Sequence, residues 1–161
     1  MRRKDREITD MTEIMEILKR ASVCTVGFQD EPSPYLIPMN YGVQLENGMP
    51  VLYFHGAGEG TKLELLKKNP HVSYTVFGGD KIRLNQETAC RSTASFESVC
   101  GTGKAVILKP EEKKAGLCVL MNHAGQKEGI SFREDAFPDE AIQALTVWKI
   151  VTERVTGKRH E

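Results

Sequence analysis

The chain has 161 residues, 40% hydrophobic and 27% charged, with 22 basic side chains against 22 acidic ones. That length suits one domain, spanning 1–161, with an ordinary core, and the zero net charge argues against a broad grip on nucleic acid or an anionic membrane. No apolar run reaches transmembrane length, and the polar start MRRKDREITD has no signal-peptide core, so a cytoplasmic protein is expected.

In chain order, residues 11–20, MTEIMEILKR, predict a helix with Met11, Ile14, Ile17 and Leu18 on one face. Asp10 can cap it, and Glu13 gives a box-like start. SVCTVGF predicts a strand, and QDEPSP is turn material. YLIPMNYGVQL, 35–45, reads as one strand with Tyr35, Ile37, Met39, Tyr41 and Val43 to one side and Leu36, Pro38, Asn40 and Gly42 to the other. ENG predicts a hairpin turn leading to the return strand VLYFH.

A glycine-rich loop follows, then a helix over about 61–68, stopped by Asn69-Pro70. HVSYTVF is a strand that GGD is expected to end, and 81–93 is polar without a clear pattern. SFESVCGTGKAVIL predicts a long strand in which Gly101 and Gly103 mark a bulge or a close backbone approach. PEEKKAGLCVLMNH is a helix with Pro110 at its start. Residues 124–137 read as loop, DEAIQAL as a short helix and TVWKIVTERVTG as the closing strand. About six strands joined mainly by short turns imply an antiparallel sheet, and a small barrel is the economical way to remove its edges.

The four cysteines form no Cys-x-x-Cys pair, which speaks against a zinc or dithiol site. They are expected to be reduced and mostly buried, with Cys90 the likeliest to be exposed. His71, His123 and His160 show no ligand-like spacing, so no metal site is expected. Trp148 is expected in the core or at an interface.

The stretch YFHGAGEGTKLELLKKNP, 53–70, carries the main chemical candidate. It is not a P-loop, because Lys62 is followed by Leu63, and its glycines are too closely spaced for a dinucleotide fingerprint. GTGKA at 101–105 fails as well. What remains is a helix N-terminus near Gly60 and Thr61, where free N–H groups, the Thr61 hydroxyl and the Lys62 charge together suit one phosphate. A simple flexible turn is the competing reading. His55, ending the strand beside this loop, is either a surface histidine or a group that faces phosphate or substrate. Pro38 removes a ladder donor, so its strand is at an edge, at a bulge or facing something other than a strand. A flat heterocycle lying against free backbone groups and Asn40 is one possibility; an edge strand with a solvated Asn40 is the other.

The runs PYLIPMNYG, LYFHGAGEGTKLELLKKNPHVSY, SVCGTGKAVIL and VTGKRHE resemble the flavin-binding split barrels, the pyridoxamine 5′-phosphate oxidase-like proteins. The branch most similar is the one related to nitroimidazole-resistance proteins, whose members commonly begin with a similar MRRKDREI. The resemblance spans nearly the whole chain. It implies a mainly β, α+β fold: a six-stranded antiparallel Greek-key split barrel with flanking helices, forming a homodimer with FMN at the interface. It further implies that Gly60, Thr61 and Lys62 hold the FMN phosphate with His55 beside it. Leu36, Ile37, Pro38, Met39 and Asn40 would line the isoalloxazine, largely through backbone atoms, with Phe54 in the same wall and Ser98 contacting flavin across the dimer.

Two departures stand out. TGKRHE lacks the basic Arg-x-x-Arg-Leu-x-Pro type motif of true pyridoxamine phosphate oxidases, and Thr61 stands where relatives often carry a basic residue. The expected activity is FMN-dependent reduction of a nitro group or another small electron acceptor, with His55 as the acid–base candidate. The alternatives are a non-catalytic flavin-binding or electron-carrier protein, and a barrel that holds haem or a deazaflavin instead.

Overall fold

The computed structural model describes residues 2–161. Eight strands, all paired antiparallel, build one curled sheet: β1 (Glu7–Ile8), β2 (Val23–Phe28), β3 (Tyr35–Asn40), β4 (Gly42–Glu46), β5 (Met49–Ala57), β6 (His71–Arg83), β7 (Thr93–Ile107) and β8 (Leu145–His160). The order across it is β3-β2-β6-β7-β8-β5-β4, with β1 added to β8. The helices are α1 (Met11–Arg20), α2 (Thr61–Lys68), α3 (Lys113–Gly125) and the short α4 (Asp139–Ile142). The mainly β half-barrel matches the sequence expectation; the strand count is eight rather than six.

The two extra strands have local causes. The predicted 35–45 strand breaks at Tyr41 because α3 lies directly on Gly42, where an added Cβ would sit 2.4 Å from the Leu120 Cα. The chain turns there and joins the two edge strands β3 and β4, which curls the sheet. The other is the two-residue β1, too short for any periodic signal. Nor does GGD end β6. Gly79 takes φ +65°, the register shifts between Gly78 and Lys81, and pairing with β7 resumes to Arg83. A glycine in the left-handed region lets a strand pass through a bulge instead of stopping.

α1 forms as its sequence predicts. The Asp10 side chain accepts from the Thr12 and Glu13 N–H groups at 2.7 and 3.1 Å, a cap of about 1 kcal/mol. Glu13 does not close a capping box; its carboxylate pairs with Arg159 at 2.8 Å. Ile14, Met15, Ile17 and Leu18 are the buried face, with Met11 only half-buried at its edge. Asn47 and Gly48 both take positive φ in the β4–β5 turn, as an Asn-Gly hairpin requires.

One core fills the curl. Its centre is Trp148, fully buried, stacked on Phe54 with ring centroids 4.4 Å apart and planes at 16°. Each large apolar side chain fully buried there contributes about 1.5–3 kcal/mol. A second, smaller core, including Val51, Tyr53, Leu117, Ile142 and Val147, lies between the other face of β5 and β8 and the helices α3 and α4. The expected close approaches on β7 are real: an added Cβ would lie 2.2 Å from the Tyr74 Cζ at Gly101 and 2.2 Å from the Val151 carbonyl oxygen at Gly103. The register between β7 and β8 also shifts at Thr102/Gly103.

The cysteines differ from expectation. Only Cys24 is buried; Cys90 is exposed as anticipated, Cys100 is exposed on β7, and Cys118 is half-buried. None is in a disulfide. No helix among the described residues is long and apolar enough to cross a membrane.

Candidate functional site

The sheet opens between its edge strands, β3 and β4. β3 pairs only with β2, whereas β5 pairs with β4 and β8. α2 packs against β2 and buries Leu63, Leu65 and Leu66 in the main core, so its N-terminus is carried by packed side chains rather than by a free loop. Gly60 precedes it with φ +116° and ψ 169°, a conformation open essentially to glycine. The Leu63 and Glu64 N–H groups both bond to the Gly60 carbonyl, at 3.0 and 3.2 Å. The N–H groups of Thr61 and Lys62, one turn too early for an intrahelical acceptor, stay at the open end.

Lys62 folds back across β5. A Cβ built on Gly56 would lie 3.0 Å from the Lys62 Nζ and 3.1 Å from its Cε. Among the described residues Lys62 pairs with no carboxylate. An unpaired ammonium, two free N–H groups and the Thr61 hydroxyl thus all belong to the first two residues of α2, donor types that suit a phosphate. His55, exposed, lies on β5 two residues before its end, and strand alternation puts its side chain on the face opposite Gly56. The loop is braced from behind: a Cβ at Gly58 would meet the Ala144 carbonyl oxygen at 3.3 Å, in a segment clamped by the Lys113 ammonium, which donates to the Ile142, Gln143 and Leu145 carbonyls at 3.4, 3.3 and 2.6 Å.

β3 is the edge strand that Pro38 implied, and its alternation is as predicted. Ile37 and Met39 pack against the main core, while Leu36, Pro38 and Asn40 face out, Leu36 being 64% exposed. Pairing on one side only leaves alternate backbone groups of β3 free. Asn40 is not simply solvated; its Nδ2 donates to the Ser22 carbonyl at 3.0 Å. Tyr41 brings its ring within 6.4 Å of the Phe54 ring, so the Asn40 end of β3 lies by the His55 end of β5. A groove of about 550 Å³ runs along the outer sheet face past Leu36, lined also by Thr25, Thr75, Cys100, Arg154 and Thr156. That volume is in the range of small-molecule sites.

Phe54 and Ser98 stand apart from the loop and the β3 edge. The Phe54 side chain points into the core against Trp148 and is fully buried; it supports the wall from behind and offers no ring to a ligand. Ser98 sits on β7 opposite Lys158, whereas His55 is opposite Val147. From Val147 to Lys158 is about 35 Å along β8, so Ser98 is at the far end of the sheet from the loop within one chain.

The sequence reading passed over Gly56, whose role depends on a contact six residues away, and His123. The latter donates Nε2–H to the Lys19 carbonyl at 3.0 Å and meets the Tyr41 ring edge-on at 4.9 Å, while its Nδ1 is buried without a partner. It borders a cavity of about 90 Å³ next to Asn40 and Lys127. Burial holds its imidazole pKa below the ordinary value, although the Lys19, Ala21 and Tyr41 backbone groups work the other way. Among the described residues no group of three or more His, Cys, Asp or Glu side chains is placed to hold a metal.

A half-barrel that opens at one seam, between its edge strands, is a split barrel. The pyridoxamine 5′-phosphate oxidase family model matches residues 10–159, and the chain belongs to that family. A solved structure of a protein from Bacteroides thetaiotaomicron VPI-5482, assigned to 5-nitroimidazole antibiotic resistance, is 32% identical. It covers 95% of this chain and 86% of its own, with a TM-score of 0.78; the chain is thus related to that branch. Two others share the fold at lower identity. They are the FAD and heme binding protein from Mycobacterium smegmatis (15%, 97% and 74% covered, TM-score 0.80) and the flavocytochrome Anf3 from Azotobacter vinelandii (19%, 100% and 72%, 0.78). No curated protein matches the chain.

Proposed function

We propose that this chain is an FMN-binding flavoprotein that reduces small electron acceptors, nitroimidazoles among them. What supports this reading is a Lys62 ammonium that pairs with no carboxylate among the described residues, an open α2 N-terminus and a β3 edge left free by the split sheet. A phosphate tail fits the first two and a flat ring the third. In this reading the Thr61 and Lys62 N–H groups, the Thr61 hydroxyl and the Lys62 ammonium hold the phosphate. Free backbone groups of β3, from Leu36 to Asn40, face the ring edge. Branch membership and flavin-binding proteins of the same fold support the assignment.

When bound, the flavin supplies the two-electron chemistry. The protein's own tasks are to fix the ring against β3, to leave one ring face open and to supply a proton. Reduction of a nitro group to a nitroso group takes two electrons and two protons and releases water. His55, exposed near the end of β5, is the side chain assigned to deliver that proton. The outer sheet face, with exposed Leu36 and Phe77, is where a second copy would complete the ring pocket. Ser98 at the far end of the sheet would reach a flavin only from that copy.

The test is anaerobic reoxidation of the dithionite-reduced, FMN-loaded protein by a 5-nitroimidazole. The proposal expects a rate well above that of free reduced FMN, and a loss of about tenfold or more in His55→Ala with FMN still bound. A rate no faster than that of the free flavin would refute the activity; an unchanged rate in H55A would refute the role of His55.

A further inference from the structure

We infer that Gly56 is a positioning residue for the Lys62 ammonium, and that through it this strand position sets how strongly the site prefers a phosphorylated flavin to an unphosphorylated one. The inference rests on the reading of the loop as a flavin phosphate site. Glycine within a strand weakens it and marks a bulge, a bend or a close approach. Gly56 is not at a bulge: it pairs in register with Thr146, between the pairs His55–Val147 and Ala57–Leu145. Nor does it have a positive φ, unlike Gly60. What glycine leaves is space, used by the Lys62 Nζ and Cε, 3.0 and 3.1 Å from where a Cβ would be, so that a methyl there would push the end of that side chain aside by a few tenths of an ångström.

The three glycines of HGAGEG therefore do different work. Gly60 supplies the backbone conformation that starts α2. Gly58 lets the loop rest on the Ala144 carbonyl. Gly56 forms a shelf against which the end of the long, flexible Lys62 side chain lies. A lysine otherwise free in solvent must be ordered when it grips a ligand, and ordering one such side chain costs about three- to tenfold in affinity. Holding Lys62 on the shelf beforehand removes that loss. The effect is confined to ligands that present an anion there, and it matters more because Thr61, the residue before, adds no second charge.

The experiment measures Kd for FMN and for riboflavin with the wild type, G56A, K62A and the double variant. The riboflavin-to-FMN Kd ratio should fall about three- to tenfold in G56A, with the riboflavin Kd unchanged. In the K62A background Gly56→Ala should have no effect, because its target is gone. Equal weakening of both ligands by G56A, or the same loss in the K62A background, would overturn the inference. If K62A itself leaves the ratio unchanged, the phosphate-site reading has failed instead. Should G56A alone not fold by circular dichroism, G56A/K62A must fold, since the collision is with Lys62; an unfolded double variant would equally overturn the inference.

Discussion

Replacing Gly101 by alanine tests the packing that holds the outer sheet face in shape. The new methyl would lie 2.2, 2.4 and 2.5 Å from the Tyr74 Cζ, hydroxyl oxygen and Cε1. Carbon contacts settle at about 3.5–4.0 Å, so the ring must retreat by about 1 Å or more. Tyr74 is buried, and its hydroxyl is 3.0 Å from the buried Thr152 hydroxyl, so retreat breaks that hydrogen bond. Overpacking costs about 1–3 kcal/mol and the bond about 1 kcal/mol, which gives a loss of about 2–4 kcal/mol. Urea unfolding followed by the fluorescence of Trp148, the chain's single tryptophan and fully buried, reads it directly. The midpoint should fall with little change in slope. Tyr74→Leu in the same background should recover part of the loss, a non-additive result. A loss below about 0.5 kcal/mol, the size of an ordinary surface substitution, would refute the reasoning.

Two further predictions concern the supports of the site. Lys113→Met removes the clamp on the Ile142, Gln143 and Leu145 carbonyls. It should cost about 1.5–3 kcal/mol and speed amide exchange around 143–146 and 58–61 more than in β6 or β7; uniform or unchanged exchange would contradict the bracing role. His123 has a folded-state pKa below its unfolded value. Below about pH 6.5 the unfolded chain takes up a proton that the native one resists. Stability should therefore be complete above the unfolded pKa, fall as the pH drops from there toward the folded pKa, and level off below it. His123→Gln should flatten that part of the stability–pH curve, and an unaltered curve would show that other groups set it.

Much of the fold was legible because its signals are local. The capped helix at Met11–Arg20, the Asn47-Gly48 turn, α2 and the glycine approaches on β7 all rest on backbone chemistry readable within a few residues. Pro38 reported its edge strand for the same reason. What escaped depends on tertiary contact. Gly42 looks like any strand residue until α3 lies on it, which is why β3 and β4 read as one. Gly78-Gly79 resembles a strand end unless the partner strand is long enough to carry pairing past a bulge. Phe54 sits in the right place on β5, but alternation alone does not say which face of a strand covered on both sides meets a ligand. The loop was weak as a local motif, and the fold strengthens it by setting Lys62, unpaired, on the shelf at Gly56.

The central claim is that this seam holds FMN in an assembly of two chains. Sedimentation velocity of the FMN-saturated protein, followed at a flavin wavelength, tests it most directly. The account predicts that flavin absorbance travels with a species of twice the chain's mass, at about one FMN per chain. Flavin left behind at the rate of the free molecule, or carried on a single chain as tightly, would contradict it.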